Sequence, residues 1–145
     1  GLRENITESL AAHGHVRKND VSLPIALLGG FVSSLEALME SGKSESSNIE
    51  MIVFGHIGDG NLHINYVSDG DESFEKFSKS ARNIELRVFD IVKKFRGSIS
   101  AEHGIGILKK QDLHYSCSEI EIEFMRKIKA VFDPKGILNP GNIFD

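Results

Sequence analysis

Three stretches of the chain repeat apolar residues at three- and four-residue intervals, the spacing that lines one face of an α-helix. The first carries Ile25, Leu28, Phe31, Val32, Leu35, Leu38 and Met39, with Ser22 placed to cap it and Pro24 in its first turn. The second runs from about 72 to 95 through Phe74, Phe77, Ala81, Ile84, Val88, Ile91 and Phe95, with Gly97 as its stop. The third opens on the capping-box pattern Ser118-x-x-Glu121, continues through Phe124, Met125, Ile128, Val131 and Phe132, and ends at Asp133-Pro134. Stripes of this kind predict faces turned into a core rather than a cofactor box. Strands are expected at 15–21, 49–57 and 62–67, and the polar stretch 41–48 reads as a surface loop. Strands mixed with long helices predict an α+β fold, an antiparallel sheet with helices packed on one face.

The last two strands flank Asp59-Gly60, a pair suited to a tight hairpin because both residues tolerate positive φ. A two-residue turn there places Gly58 opposite Asn61, Ile57 opposite Leu62 and His56 opposite His63. Opposed residues have Cβ atoms about 5 Å apart on one face, close enough for two imidazoles to reach one ion. Asn65, two residues beyond His63, points to the same side, while Val53, Ile57, Leu62, Ile64 and Tyr66 form the apolar side. On spacing alone, two cross-strand histidines fit ordinary half-buried residues better than a metal site. Further along, Ser100-Ala101-Glu102-His103-Gly104-Ile105-Gly106 puts glycines where the backbone must turn tightly or approach a ligand closely. Glu102 would complete a two-His, one-carboxylate set with positions open for substrate. The alternative is a loop entering a short helical turn.

Taken together, four segments are similar to a known family. They are Lys18-x-Asp20-Val21-Ser22-Leu23-Pro24, Gly55-His56-Ile57-Gly58-Asp59-Gly60-Asn61-Leu62-His63, Ser100 to Gly106 as written above, and Phe132-Asp133-Pro134-Lys135-Gly136-Ile137-Leu138-Asn139-Pro140-Gly141. The chain resembles the C-terminal domain of FAD-linked oxidases, flavoproteins of the vanillyl-alcohol oxidase type. The branch is that of D-lactate dehydrogenase (cytochrome), D-2-hydroxyglutarate dehydrogenase and the glycolate oxidase FAD subunit. The resemblance implies that 1–145 is one ferredoxin-like substrate or cap domain, truncated at its N-terminal side, whose tail from about 133 returns to a flavin domain. It implies that His56, His63 and Glu102 hold a divalent metal, usually zinc, and that His103 is the general base. Arg3, Thr7, Lys18 and Asn65 are the implied substrate contacts, and Asn139 the implied residue near the flavin. The implied activity is oxidation of a D-2-hydroxy acid to the 2-oxo acid by hydride transfer to FAD. An electron-transfer flavoprotein or a cytochrome is the implied acceptor, a homodimer an assembly compatible with the family, and mitochondrion or cytoplasm the compartment. FAD itself would be bound mainly by a domain upstream, since these residues hold no G-x-G-x-x-G loop, and the chain alone is expected to turn over nothing. Two other classes share parts of the pattern. A non-haem metal hydrolase or oxygenase would explain the ligand set but not the tail or Lys18, and a non-catalytic interaction module would retain the site as a remnant.

Composition narrows the picture without changing it. At 145 residues, with 40% hydrophobic and 26% charged, the chain suits one ordinary globular domain. A net charge of −4 and a pI near 5.9 argue against a nucleic-acid or anionic-membrane surface. No apolar run is read as approaching the roughly 18 residues of a membrane span. Gly1-Leu2-Arg3-Glu4-Asn5 is polar and lacks Met, so no signal peptide is expected and the native start is expected upstream. Cys117 stands alone, which excludes an internal disulfide and suits a reducing compartment. His13, His15 and His114 are expected as surface or loop residues, and Cys117 as chemically inert.

Overall fold

The computed structural model describes residue 10 and residues 14–42, 49–68 and 71–144. Three strands, β1 (Val16–Ser22), β2 (Ile49–His56) and β3 (Asn61–Ser68), form one antiparallel sheet in the order β1-β3-β2. Helix α1 (Leu28–Gly42) follows a one-turn 3-10 segment at Ile25–Leu27. Helix α2 (Phe74–Lys94) follows β3, and helix α3 (Glu119–Phe132) follows a second 3-10 segment at Lys110–Tyr115. The α+β expectation holds, and each strand lies within about a residue of its expected bounds.

Alternation along the strands sorts side chains between two faces. Val21, Leu62, Ile64 and Tyr66 meet Phe31 and Leu35 of α1 and Phe77, Ala81, Val88, Phe89 and Val92 of α2, a single apolar core. Each such side chain contributes roughly 1.5–3 kcal/mol by leaving water. The core also holds charge that the apolar pattern did not suggest. Glu85, only 2% exposed, lies on the buried face of α2 and accepts from Arg17 Nε and one Arg17 terminal nitrogen at 3.0 and 2.7 Å. Arg82 donates to Glu85 at 2.5 Å and to Asp112 at 2.6 Å. Burial raises the Glu85 carboxyl, and hydrogen bonds from Arg17 and Arg82 more than offset this, leaving it below its ordinary range.

Several sequence expectations are corrected. Ser22 does not cap a helix; it belongs to β1, opposite Asn61, and exchanges two backbone hydrogen bonds with Ser98 at 3.0 and 2.8 Å. Helix entry is set instead by Pro24, which precedes the 3-10 turn without a side-chain bond. Gly97 does not stop α2, because Arg96 already takes the left-handed turn at φ 57°. Gly97 is needed for close approach: a Cβ there would lie 2.6 Å from the Ser22 carbonyl oxygen. The Ser22–Ser98 bridge occupies the place beside β1 where a fourth strand of a βαββαβ unit would pair, here reduced to a single residue pair. Phe74 is exposed and does not join the core. Ile25–Gly42 is long and apolar enough, at a mean hydropathy of 1.2, to pass as a membrane span, contrary to the sequence reading. Its buried residues Leu28, Phe31 and Leu35 pack into the core, as in a core helix.

The largest correction concerns α3. Its capping box forms as expected: Ser118 Oγ accepts from the Glu121 backbone at 3.3 Å, and the Glu121 carboxylate accepts from the Ser118 backbone at 2.7 Å. Its apolar stripe, however, is not core. Phe124, Met125, Ile128, Val131 and Phe132 are all exposed, and no α3 residue is buried. The apolar side of the sheet is already filled by α1 and α2, which leaves α3 no share of it. Asp133 then stops the chain as a turn anchor, its carboxylate accepting from the Ile137 and Leu138 amides at 2.9 Å each and from Lys129.

Candidate metal and substrate site

The second sheet face carries Lys18, Asp20 and Ser22 from β1, His56 from β2, and Asn61, His63 and Asn65 from β3. The hairpin that aligns them is longer than a two-residue turn. Ile57–Asp59 makes a 3-10 turn and Gly60 closes it at φ 70°. A Cβ at Gly60 would sit 2.1 Å from the Leu23 carbonyl oxygen, so only glycine fits. The extra residues shift the register by two from the expected pairing: His56 faces Asn61 and Phe54 faces His63. A slip of two keeps every side chain on its face, whereas a slip of one would have split the histidines. His56 and His63 are therefore diagonal neighbours, with ring centroids 5.7 Å apart. Ile57 is the exception to the expected apolar side, since it sits in the turn and is exposed.

The 98–106 segment brings the third group. After bridging to Ser22 it crosses the end of β1 onto the polar face, where Asp20 catches it. Asp20, 1% exposed, sits opposite His63. Its Oδ2 accepts from the backbone amides of Ala101, Glu102 and His103 at 3.0, 2.7 and 3.0 Å. Its Oδ1 accepts from Lys109 Nζ at 3.0 Å and lies 3.5 Å from His103 Nδ1. Burial alone would raise this carboxyl; the His103 and Glu102 amides and the Lys109 ammonium outweigh it and hold the value at about 2. Gly104 and Gly106 are both left-handed, so the glycines serve the tight-turn role anticipated for them.

So held, Glu102 and His103 flank the histidines. Glu102 Oε1 lies 3.9 Å from His56 Nε2 and accepts from Asn61 Nδ2. The His103 ring is nearly parallel to that of His63 at 6.4 Å between centroids. One nitrogen each from His56 and His63 and one Glu102 oxygen lie within 4.8 Å of one another. A tetrahedral zinc with bonds of about 2.1 Å separates its donors by roughly 3.4 Å, so side-chain closure of about an ångström would complete the set. His56 and Glu102 are partly solvent-exposed. The donor chemistry fits a divalent ion, with Asn61 orienting the carboxylate from behind.

Of the remaining expected site residues, Lys18 is exposed and sits opposite Asn65. Asn65 is buried, and its Nδ2 has no hydrogen-bond partner among the described residues. Such a donor is costly to bury unless something accepts from it. Asn139 is an exposed left-handed residue in the tail. That tail reaches the segment following His103 through Ile143 to Gly106 and through Lys110 to Gly141. Arg3, Thr7 and His13 lie outside the described residues. His15 lies in the loop just before β1, as expected, but is half-buried: its ring packs at 5.4 and 5.6 Å from Phe74 and Phe77, and Nε2 pairs with the Glu72 carbonyl. His114 is exposed, as expected, and lies against Tyr115. Cys117 is half-buried, and burial pushes its thiol up, which suits an inert role. Sequence reasoning passed over Asp20, Asn61 and Lys109. The first two were detectable in principle, as polar residues that share the face of His56 and His63 by strand alternation and pairing.

Residues 1–143 match the family described as FAD linked oxidases, C-terminal domain. A D-2-hydroxyglutarate dehydrogenase of Stutzerimonas stutzeri (strain A1501) is 42% identical over 143 residues, covering 99% of this chain and 30% of that protein. The mitochondrial D-2-hydroxyglutarate dehydrogenase of Bos taurus is 44% identical over 140 residues, covering 96% and 24%. That of Arabidopsis thaliana is 40% identical over 139 residues, covering 96% and 23%. The chain thus spans less than a third of the length of these curated relatives, between 23% and 30%.

Proposed function

Because this chain belongs to the FAD-linked oxidases, as their C-terminal domain, we propose that it forms the substrate-facing part of a flavin-dependent D-2-hydroxy acid dehydrogenase. The observation that carries the reading is the convergence of His56, His63 and Glu102 on the polar sheet face that also holds Lys18 and the Asn65 side-chain Nδ2, which has no partner among the described residues. D-2-hydroxyglutarate, named in the relatives, is the first substrate to try. FAD would supply the acceptor for the C2 hydride, and a divalent ion, zinc by its ligand set, would supply Lewis acidity toward the 2-hydroxyl. His56, His63 and Glu102 would hold that ion, and the rest falls to side chains of this chain. His103 Nε2 removes the hydroxyl proton, a task suited to an imidazole near neutral pH. Lys18 neutralises and orients the substrate carboxylate, with Arg3 and Thr7 proposed beside it. Asn65 Nδ2 donates to a substrate oxygen, satisfying a buried group that has no partner among the described residues. Asn139 is proposed to reach the flavin, with 1–145 as one domain whose tail returns to the flavin-binding part. The proposed compartment is mitochondrial or cytoplasmic, since relatives include mitochondrial proteins and bacterial ones. The proposed electron acceptor is an electron-transfer flavoprotein or a cytochrome.

In the flavin-loaded, full-length enzyme, His103→Ala is expected to lower turnover by roughly 100-fold or more while metal content stays unchanged. Turnover by stopped-flow flavin reduction and metal by elemental analysis check both halves. Wild-type turnover in that variant would remove His103 from the chemistry.

A further inference from the structure

Within this reading, we propose that Asp20 is the positioning residue of the site: one oxygen fixes the path of residues 101–103, and the other selects which nitrogen of His103 faces the substrate. Three consecutive amides converge on Oδ2, a concave arrangement of N–H groups that binds an anion. A brace for the loop needs only that oxygen. Oδ1 has separate work, because it accepts from Lys109 Nζ at 3.0 Å and lies 3.5 Å from His103 Nδ1. Lys109 also donates to the Ile99 carbonyl at 2.7 Å, which ties the countercharge to the start of the same loop.

A neutral imidazole carries its proton on one nitrogen and a lone pair on the other. With the proton on Nδ1, a small rotation of the exposed His103 ring would close this 3.5 Å contact into a hydrogen bond to Oδ1 and leave the Nε2 lone pair for a substrate hydroxyl. The other tautomer would set a lone pair against a carboxylate oxygen at 3.5 Å and leave Nε2–H, which cannot take a proton. The buried carboxylate therefore orders the ring in the form a base requires. The same residue stands opposite His63 on the sheet, so strand, loop and base are referenced to one side chain.

Asp20→Asn separates the two duties. The amide oxygen can take the place of Oδ2, while the amide N–H₂ turned toward His103 would donate to Nδ1 and invert the tautomer. The experiment uses the full-length flavin-loaded enzyme with ¹⁵N-labelled histidine. Long-range ¹H–¹⁵N correlations report the tautomer of His103, assigned by the peaks lost in His103→Ala. Expected are Nδ1–H in the unaltered enzyme and Nε2–H in Asp20→Asn. Turnover should fall by roughly 100-fold at unchanged metal content, with KM within about threefold. Near-normal turnover in Asp20→Asn overturns the proposal. Metal lost together with turnover, at unchanged tautomer, also overturns it, by reducing Asp20 to a structural brace. Should Asp20→Asn fail to fold, the unaltered enzyme decides alone, and an Nε2–H tautomer there overturns the proposal. His103→Ala keeps the two levels apart. Its normal turnover would remove His103 as the base and the role of Asp20 with it. Failure of the unaltered enzyme to oxidise any D-2-hydroxy acid would sink the proposed function itself. A disabled His103→Ala beside an unimpaired Asp20→Asn sinks only the role given to Asp20.

Discussion

Helices α2 and α3 carry the same kind of code and come to opposite ends. Both repeat aromatic and aliphatic residues at three- and four-residue spacing, and both begin with a serine cap whose side chain accepts from the backbone three residues on. Yet α2 buries Phe77, Ala81, Val88, Phe89 and Val92, while α3 leaves Phe124, Ile128, Val131 and Phe132 in solvent. Periodicity states that a helix has an apolar side; it does not state that a surface exists to cover it. The reverse holds for charge. The buried stripe of α2 contains Glu85, which a hydrophobic reading assigns to solvent, because Arg17 on β1 and Arg82 one turn away make its burial tolerable.

The contrast is sharpest in equivalent truncations. Phe89→Ala is expected to destabilise the fold by about 3–5 kcal/mol, whereas Phe124→Ala should change it by less than about 0.5 kcal/mol, both read from urea unfolding midpoints. Similar losses at the two positions would mean that α3 is covered after all. Next in size is Glu85→Gln, expected to cost about 2–3 kcal/mol, a figure reduced because Arg17 and Arg82 remain partly in contact with water. The sign of its pH dependence follows from a folded-state value lowered below the ordinary 4.5. The stabilisation is complete above that ordinary value and is lost as pH falls toward the lower folded one. An acid titration of the unfolding midpoint should therefore be shallower below pH 4.5 in Glu85→Gln than in the unaltered protein. Smallest is Ser118→Ala, which removes the α3 cap at about 1 kcal/mol of helix stability, visible as fraying of the first turn by amide exchange.

Local signals carried well from sequence to structure. The capping box at Ser118, the alternation that puts His56, His63 and Asn65 on one side, and the strand segments all depend on neighbours within a few residues. What failed depended on distant ones. The hairpin register moved by two because Ile57–Asp59 adopts a 3-10 turn that docks on Leu23, a contact across the sheet. Ser22 looked like a helix cap because its partner Ser98 is far along the chain. Asp20, though part of a recognised segment, received no role because three of its partners are backbone amides, which no residue type advertises. Arg3 and Thr7 lie outside the described residues, so their assignment rests on resemblance alone.

The hold of Asp20 on the 101–103 segment has a consequence for how variants there are interpreted. The grip of its Oδ2 is on main-chain N–H groups, so that hold is indifferent to which side chains the segment bears. Replacing Glu102 or His103 removes a functional group from a track that stays laid, and a defect in such a variant is one of missing chemistry, not of a displaced chain. The reactive positions are thus interchangeable parts on a fixed mount.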